Sequence, residues 1–163
     1  MAKIKNPLPL TVEWRGTNRR EVYLDYLVKE NNWKVGAEVG VRIGRTLFYL
    51  LEHNLELKMY AIDKDVKQFN NGPRFEAVKD RIIILEGTSW IVHNQINEPL
   101  DFVFIDAGHS SKSVVKDINA YKPLLKTKKG LTGHDVDFPS VQAALQKCEI
   151  EYDVGPNNIW LQK

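Results

Sequence analysis

The chain has 163 residues, 43% apolar and 27% charged, an ordinary globular balance that leaves room for one domain and excludes a disordered or collagen-like chain. Twenty-three Lys and Arg against 21 Asp and Glu leave a net charge of +2, too weak a bias to make nucleic acid an expected partner. Cys148 is the one cysteine, which rules out an internal disulfide and a thiolate metal cluster.

The start, MAKIKNPLPLTVEW, is basic but holds no apolar run of signal-peptide length, and Pro7 and Pro9 interrupt it. Nothing approaches the roughly 20 apolar residues of a membrane span. The expectation is a soluble, cytoplasmic protein without a membrane partner. Residues 1–18 read as an irregular arm, and 19–163 as a single domain. From Arg19, the one-turn spacing of Val22, Tyr23, Tyr26 and Leu27 predicts a helix ended by Asn31 and Asn32.

A regular alternation follows. Apolar runs at 35–41, 58–63, 81–87, 100–107 and 130–136 predict five strands. Helical patterns at 45–53, 69–79, 89–96, 111–125 and after Phe138 predict the helices between them. Continuous apolar strands alternating with helices imply a parallel sheet covered on both faces, hence a doubly wound α/β fold. The ending differs: CEIEYDV and NIWLQ flank Gly155-Pro156-Asn157-Asn158, which predicts a C-terminal antiparallel β-hairpin.

Ligands of doubly wound sheets bind beyond the C-terminal strand ends, so those five ends carry the candidate chemistry. The first reads Glu38-Val39-Gly40-Val41-Arg42-Ile43-Gly44. Its glycines do not form the G-x-G-x-x-G dinucleotide fingerprint, so a ligand without a pyrophosphate suits it better; the plainer role for them is packing. Asp63 ends the second strand, where an acidic residue commonly accepts hydrogen bonds from ribose hydroxyls; Asp65 reads as surface. The third end, Glu86-Gly87-Thr88-Ser89-Trp90, offers small polar groups for a base edge, with Trp90 either covering it or packing at a helix start. The fourth and fifth ends, Asp106-Ala107-Gly108-His109 and Gly133-His134-Asp135, bring two Asp/His pairs to neighbouring positions, an acid/base or metal pattern more specific than either alone. His53 and His93 fall within helices, away from those ends. Lys126, Lys128 and Lys129 read as a solvated turn, while Arg15, Arg19 and Arg20 either meet an anionic substrate or form a free basic terminus.

EVGVRIG, Asp63, EGTS and IDAGHS resemble the successive motifs of class I S-adenosylmethionine-dependent methyltransferases. The run DFVFIDAGHSSKSVVKDINAYKPLLKTKKGLTGHDV resembles a small-molecule O-methyltransferase branch whose fourth strand typically reads I-D-G-x-H-x-Y and fifth G-G-x-x-x-G-H-D. The resemblance implies a Rossmann-like, mostly parallel seven-stranded methyltransferase fold. It implies that Glu38, Gly40, Gly44, Asp63, Gly87, Thr88 and Asp106 hold S-adenosylmethionine. Glu38 and Gly40 would meet its methionine part, Asp63 the ribose, Gly87 and Thr88 the adenine, and Asp106 the sulfonium methyl. Asp106, His109 and His134 are the implied catalytic residues. In related branches, carboxylates at these strand ends bind magnesium, which makes Asp106 and Asp135 candidate Mg2+ ligands. Ser111, Lys112 and Lys129 depart from the branch pattern and bear on the acceptor, not on the cofactor.

The expected reaction is methyl transfer to a small-molecule acceptor at oxygen. The alternatives are an S-adenosylmethionine- or nucleotide-binding protein without transfer, and an NAD-dependent reductase, which the missing fingerprint and the terminal hairpin disfavour. No separate substrate domain is expected. The acceptor then meets the arm, the first helix, short loops or a second subunit of a homo-oligomer. Trp14 and Trp33 flank the first helix as candidate apolar walls, with core packing the plainer role for Trp33.

Overall fold

A computed structural model describes residues 19–163; the arm, with Trp14 and Arg15, lies outside the described residues. Arg20–Glu30 forms α1, ended by Asn31, whose side-chain amide and backbone N–H both donate to the Leu27 carbonyl. The strands are β1 (Val35–Val39), β2 (Lys58–Asp63), β3 (Ile82–Glu86), β4 (Phe102–Ile105), β5 (Leu131–Gly133), β6 (Tyr152–Val154) and β7 (Trp160–Gln162). Five further helices separate them: α2 (Arg45–His53), α3 (Pro73–Val78), α4 (Ser89–Val92), α5 (Ser111–Tyr121) and α6 (Pro139–Lys147).

The strands form one sheet in the order β3-β2-β1-β4-β5-β7-β6. Neighbours from β3 to β5 are parallel, while β7 inserts antiparallel between β5 and β6. This is the expected doubly wound sheet closed by a hairpin. Strand order reverses at β1, whose neighbours are β2 and β4, and that reversal opens the crevice where such sheets bind ligands.

Alternation along each strand divides the apolar side chains between two layers. Phe102 and Phe104 pack with Leu24, Leu27, Leu47 and Leu51 of α1 and α2, whereas Val103 and Ile105 pack with Val114, Ile118, Val141 and Leu145 of α5 and α6. Trp33 is buried and stacks on Phe102 at 4.9 Å between ring centroids, so its role is packing. Among the described residues no helix is long and apolar enough to cross a membrane.

Three local expectations change. The helix expected over 69–79 is confined to Pro73–Val78, because Gly72 takes φ +86° and Pro73 occupies the first turn, where its missing N–H costs nothing. The first, fourth and fifth strands stop short of their apolar runs, at Val39, Ile105 and Gly133, where the chain turns over the crevice. Lys126 is not simply solvated: it pairs with Asp101 at 2.7 Å, and Asp101 also accepts the backbone N–H groups of Lys34 and Val35 at the entry to β1.

Candidate active site

A cavity of about 300 Å³ opens at the C-terminal ends of β1 to β4. Gly40, Asp63, Gly87 and Asp106 line it together, joined by Arg42 and Ser89. Gly40 lies at φ +91°, and a Cβ there would stand 2.4 Å from the Asp106 carbonyl oxygen and 2.7 Å from the Ala107 Cα. The glycine therefore admits the β4 loop against the β1 loop as well as keeping the cavity wall bare. Gly44, at φ +77°, opens α2 and leaves the space its side chain would need to the Phe48 ring. Its role is the packing one.

Asp63 joins two loops. One carboxylate oxygen accepts the Arg42 N–H at 2.7 Å, and the other accepts the Asp65 N–H at 3.0 Å. Arg42 itself holds a left-handed φ of +56°, a conformation that costs a side-chain-bearing residue energy and persists where its surroundings hold it. The Asp63 carboxylate is such a restraint.

Glu38 is buried on the face of β1 opposite to Ala37 and Val39 and does not line the cavity. Burial, with the Asp106 carboxylate adding to it, pushes its carboxyl pKa well above the usual range, against the pull of Arg20. Its Oε2 has no hydrogen-bond partner among the described residues. A buried oxygen left unpaired costs about 1–3 kcal/mol.

Thr88 takes the N-cap position of α4, where its carbonyl accepts the N–H groups of Ile91 and Val92. The next residue, Ser89, donates its hydroxyl to buried Asp117, and its carbonyl accepts the Tyr121 hydroxyl at 2.9 Å. Asp117 lies on the apolar face of α5 between Val114 and Ile118, a carboxylate at a helical spacing that otherwise carries core residues. Trp90 carries the Lys116 ammonium over its ring at 4.5 Å, a contact between α4 and α5.

Burial pushes the Asp117 carboxyl from 3.8 up to about 6, with the Ser89 hydrogen bond opposing. The folded chain thus holds this proton more tightly than the unfolded chain. That contribution to stability is complete below the unfolded value and is lost as pH rises through the folded one, in total about 3 kcal/mol. The stability of the protein minus that of Asp117→Asn should accordingly fall by about 3 kcal/mol between roughly pH 3 and 7.5 in urea unfolding. Parallel pH curves for the two proteins would refute the assignment.

At the β4–β5 edge the two Asp/His pairs do meet, with Asp135 as the shared partner of both imidazoles. Asp135 at φ +61° turns its carboxylate between both rings. His109 Nε2 lies 2.7 Å from Oδ2, and His134 Nδ1 lies 2.8 Å from Oδ1. The other His134 nitrogen, Nε2, faces Asn157 Oδ1 at 3.0 Å, so the hairpin turn completes this corner. His109 is about half exposed, its ring edge-on to Phe138 at 5.2 Å. Among the described residues its Nδ1 has no hydrogen-bond partner. Asp106 is the least exposed of the group. Its Oδ2 pairs with the Arg20 guanidinium at 2.5 Å, and its Oδ1 faces His134 at 3.5 Å. Burial raises the Asp106 pKa, with Arg20 and His134 pulling it back.

Arg20 is therefore no part of a free basic terminus; it opens α1 and reaches the cavity rim. Its neighbour Glu21 is buried and accepts hydrogen bonds from Arg19 and from Arg45 of α2, which fixes the start of α1. His53 lies away from the site as expected, stacked on Tyr49 at 4.0 Å. His93 packs near Tyr121 at 6.0 Å.

Asp106, His134 and Asp135 offer ligand atoms within 4.8 Å of one another. Magnesium is held by one or two carboxylates and keeps several waters, so Asp106 and Asp135 are the donors it would use here. All four of their carboxylate oxygens already face Arg20, His109 or His134.

A cavity at the reversal of a doubly wound sheet, with a carboxylate at the second strand tip, is where α/β proteins of this architecture bind their ligands. The family model described as "Methyltransferase domain" matches residues 37–136, and the chain belongs to that family. No functionally curated protein sequence matches it. Among solved structures, it is similar to a Staphylococcus aureus protein provisionally assigned as a caffeoyl-CoA O-methyltransferase, at 15% identity and a TM-score of 0.70, covering 95% of this chain and 86% of that one. It is similar to an O-methyltransferase from Bacillus cereus in complex with SAH, at 17% identity and a TM-score of 0.66, covering 86% and 79%. A third is TomG from Streptomyces achromogenes, an O-methyltransferase involved in tomaymycin synthesis solved with SAM, at 13% identity and a TM-score of 0.67, covering 86% and 78%. At these identities the likeness establishes the fold.

Proposed function

We propose that the protein transfers a methyl group from S-adenosylmethionine to an oxygen of a small-molecule acceptor. The observation that carries this reading is the His109–Asp135 pair, next along the β4 loop from the Asp106, Ala107 and Gly108 that line the cavity. Asp135 accepts a hydrogen bond from Nε2–H of His109, which leaves the Nδ1 lone pair as the basic position. When bound, S-adenosylmethionine supplies a methyl group already activated by its sulfonium sulfur.

The residues of the chain supply placement and a proton acceptor. Asp63 accepts the ribose hydroxyls, Gly87 and Thr88 flank the adenine, and Gly40 lets the methionine part approach the backbone. Glu38, buried beside Asp106, helps to orient the amino group. Asp106 stands at the reacting end. His109 Nδ1 takes the proton of the acceptor hydroxyl, and Asp135 stabilises the resulting imidazolium while fixing the ring. Orientation of an activated methyl can itself remove a large part of the barrier. Phe138 is partly exposed and packs edge-on to the His109 ring, which gives the acceptor an apolar neighbour beside the base.

The test is a panel of hydroxyl-bearing acceptors with S-adenosylmethionine, read by release of S-adenosylhomocysteine, beside calorimetric binding of both compounds. Binding without transfer across the panel would return the reading to a binding protein. Absence of binding would end it. Asp63→Ala should weaken S-adenosylhomocysteine binding by about 1–3 kcal/mol, through lost charged hydrogen bonds and release of the Arg42 loop. An unchanged affinity would remove the ribose role.

A further inference from the structure

We infer that Arg20 is the resident cation of this active site, neutralising the β4 carboxylate that a divalent metal at these strand ends would otherwise use. The inference rests on the methyl-transfer reading for its purpose, but its geometry stands apart from it. Arg20 Nη1 lies 2.5 Å from Asp106 Oδ2, and the Asp106 side chain is only 9% exposed. A guanidinium in that position directly opposes a second cation on the same oxygen.

Its placement is built into the fold. Glu21, the next residue, is fully buried and accepts hydrogen bonds from Arg19 and from Arg45 of α2, so the first turn of α1 is anchored to the helix that follows β1. The remaining carboxylate oxygens are also occupied. His134 Nδ1 faces Asp106 Oδ1 and Asp135 Oδ1, and His109 Nε2 faces Asp135 Oδ2. A metal entering here would have to displace Arg20 and turn both imidazoles away. Arginine suits the part because it stays charged at every relevant pH and holds a carboxylate through directional N–H donors. Arg20 is thus a positioning residue: it keeps the Asp106 carboxylate oriented at the cavity rim and supplies positive charge without exchange.

Manganese, as a spectroscopic probe for the divalent site, tests this on the full-length protein by electron paramagnetic resonance and calorimetry. The unmodified protein and Arg20→Lys, which retains the cation, are expected to leave Mn2+ free. Arg20→Ala is expected to gain Mn2+ binding at least tenfold above both, and the double variant Arg20→Ala/Asp106→Asn to lose it again. Circular dichroism and S-adenosylhomocysteine binding report whether Arg20→Ala is folded; Arg20→Gln is the replacement if it is not. Mn2+ binding to the unmodified protein that Asp106→Asn abolishes would overturn the inference. So would failure of folded Arg20→Ala or Arg20→Gln to gain binding. Because the readout is metal occupancy, it is independent of whether any acceptor in the methyl-transfer panel reacts.

Discussion

Gly40→Ala should abolish measurable binding of S-adenosylhomocysteine and destabilise the protein by roughly 2–5 kcal/mol. Two costs combine. A φ of +91° lies where a side-chain-bearing residue pays about 1–2 kcal/mol. The added methyl would overlap backbone atoms, the Asp106 carbonyl oxygen at 2.4 Å and the Ala107 Cα at 2.7 Å, and such overpacking typically costs about 1–3 kcal/mol. Backbone cannot rotate aside as a side chain can. The strain is relieved by parting the β1 and β4 loops, which together form the cavity wall.

Gly36→Ala is the informative control. Its Cβ would also collide, with the Phe102 ring and the Met59 sulfur, but within the core beneath the sheet. It should cost stability while leaving the affinity of the folded protein within about twofold. Urea unfolding and calorimetry separate the two effects. Binding by Gly40→Ala within twofold of the unmodified protein would show that the loop contact does not shape the cofactor site.

The second large effect is expected at His109. His109→Ala should lower kcat by about 10²–10⁴, the usual contribution of a positioned general base, with cofactor affinity within about threefold. Asp135→Asn should produce a loss of similar order, because an amide no longer dictates which imidazole nitrogen carries the proton. His134→Ala provides the contrast. Both nitrogens of His134 face oxygen atoms, of Asp135 and Asn157, so its removal should disturb the corner without removing the proton acceptor. A larger kcat loss for His134→Ala than for His109→Ala would exchange their roles.

Much of the fold is legible in the local pattern. The spacing of Leu47, Phe48 and Leu51 marks α2 to the residue, since a helix burying one face must repeat near 3.6 residues. The run KMYAID marks β2 to the residue, because a strand covered on both faces needs apolar residues throughout. The pairing of β6 with β7 follows once turn residues separate two strand-like runs at the end of the chain, whereas the insertion of β7 beside β5 is decided by the tertiary structure. Where the pattern misleads, as over 69–79, backbone constraints at Gly72 and Pro73 prevail over apolar spacing.

The candidate site is legible in a different sense. Asp63, Asp106, His109, His134 and Asp135 are visible as polar residues ending apolar strands, an unfavourable position to bury unless used. Their partners are not visible. Nothing local in Arg19-Arg20-Glu21 says which arginine reaches Asp106, or that Glu21 lies buried between Arg19 and Arg45. Nor does Asn157 in a turn announce its contact with His134.

The sequence by itself determined the order of elements, the parallel sheet with its hairpin, and the strand tips at which chemistry gathers. These follow from burial and backbone conformation, which act over a few residues and leave a periodic trace. Only the tertiary structure decided that Arg20 meets Asp106, that Asp135 lies between two imidazoles, and that Ser89 rests on Asp117. Such pairings depend on how helices and loops distant in the chain converge over the sheet, and the short-range pattern carries no record of that convergence.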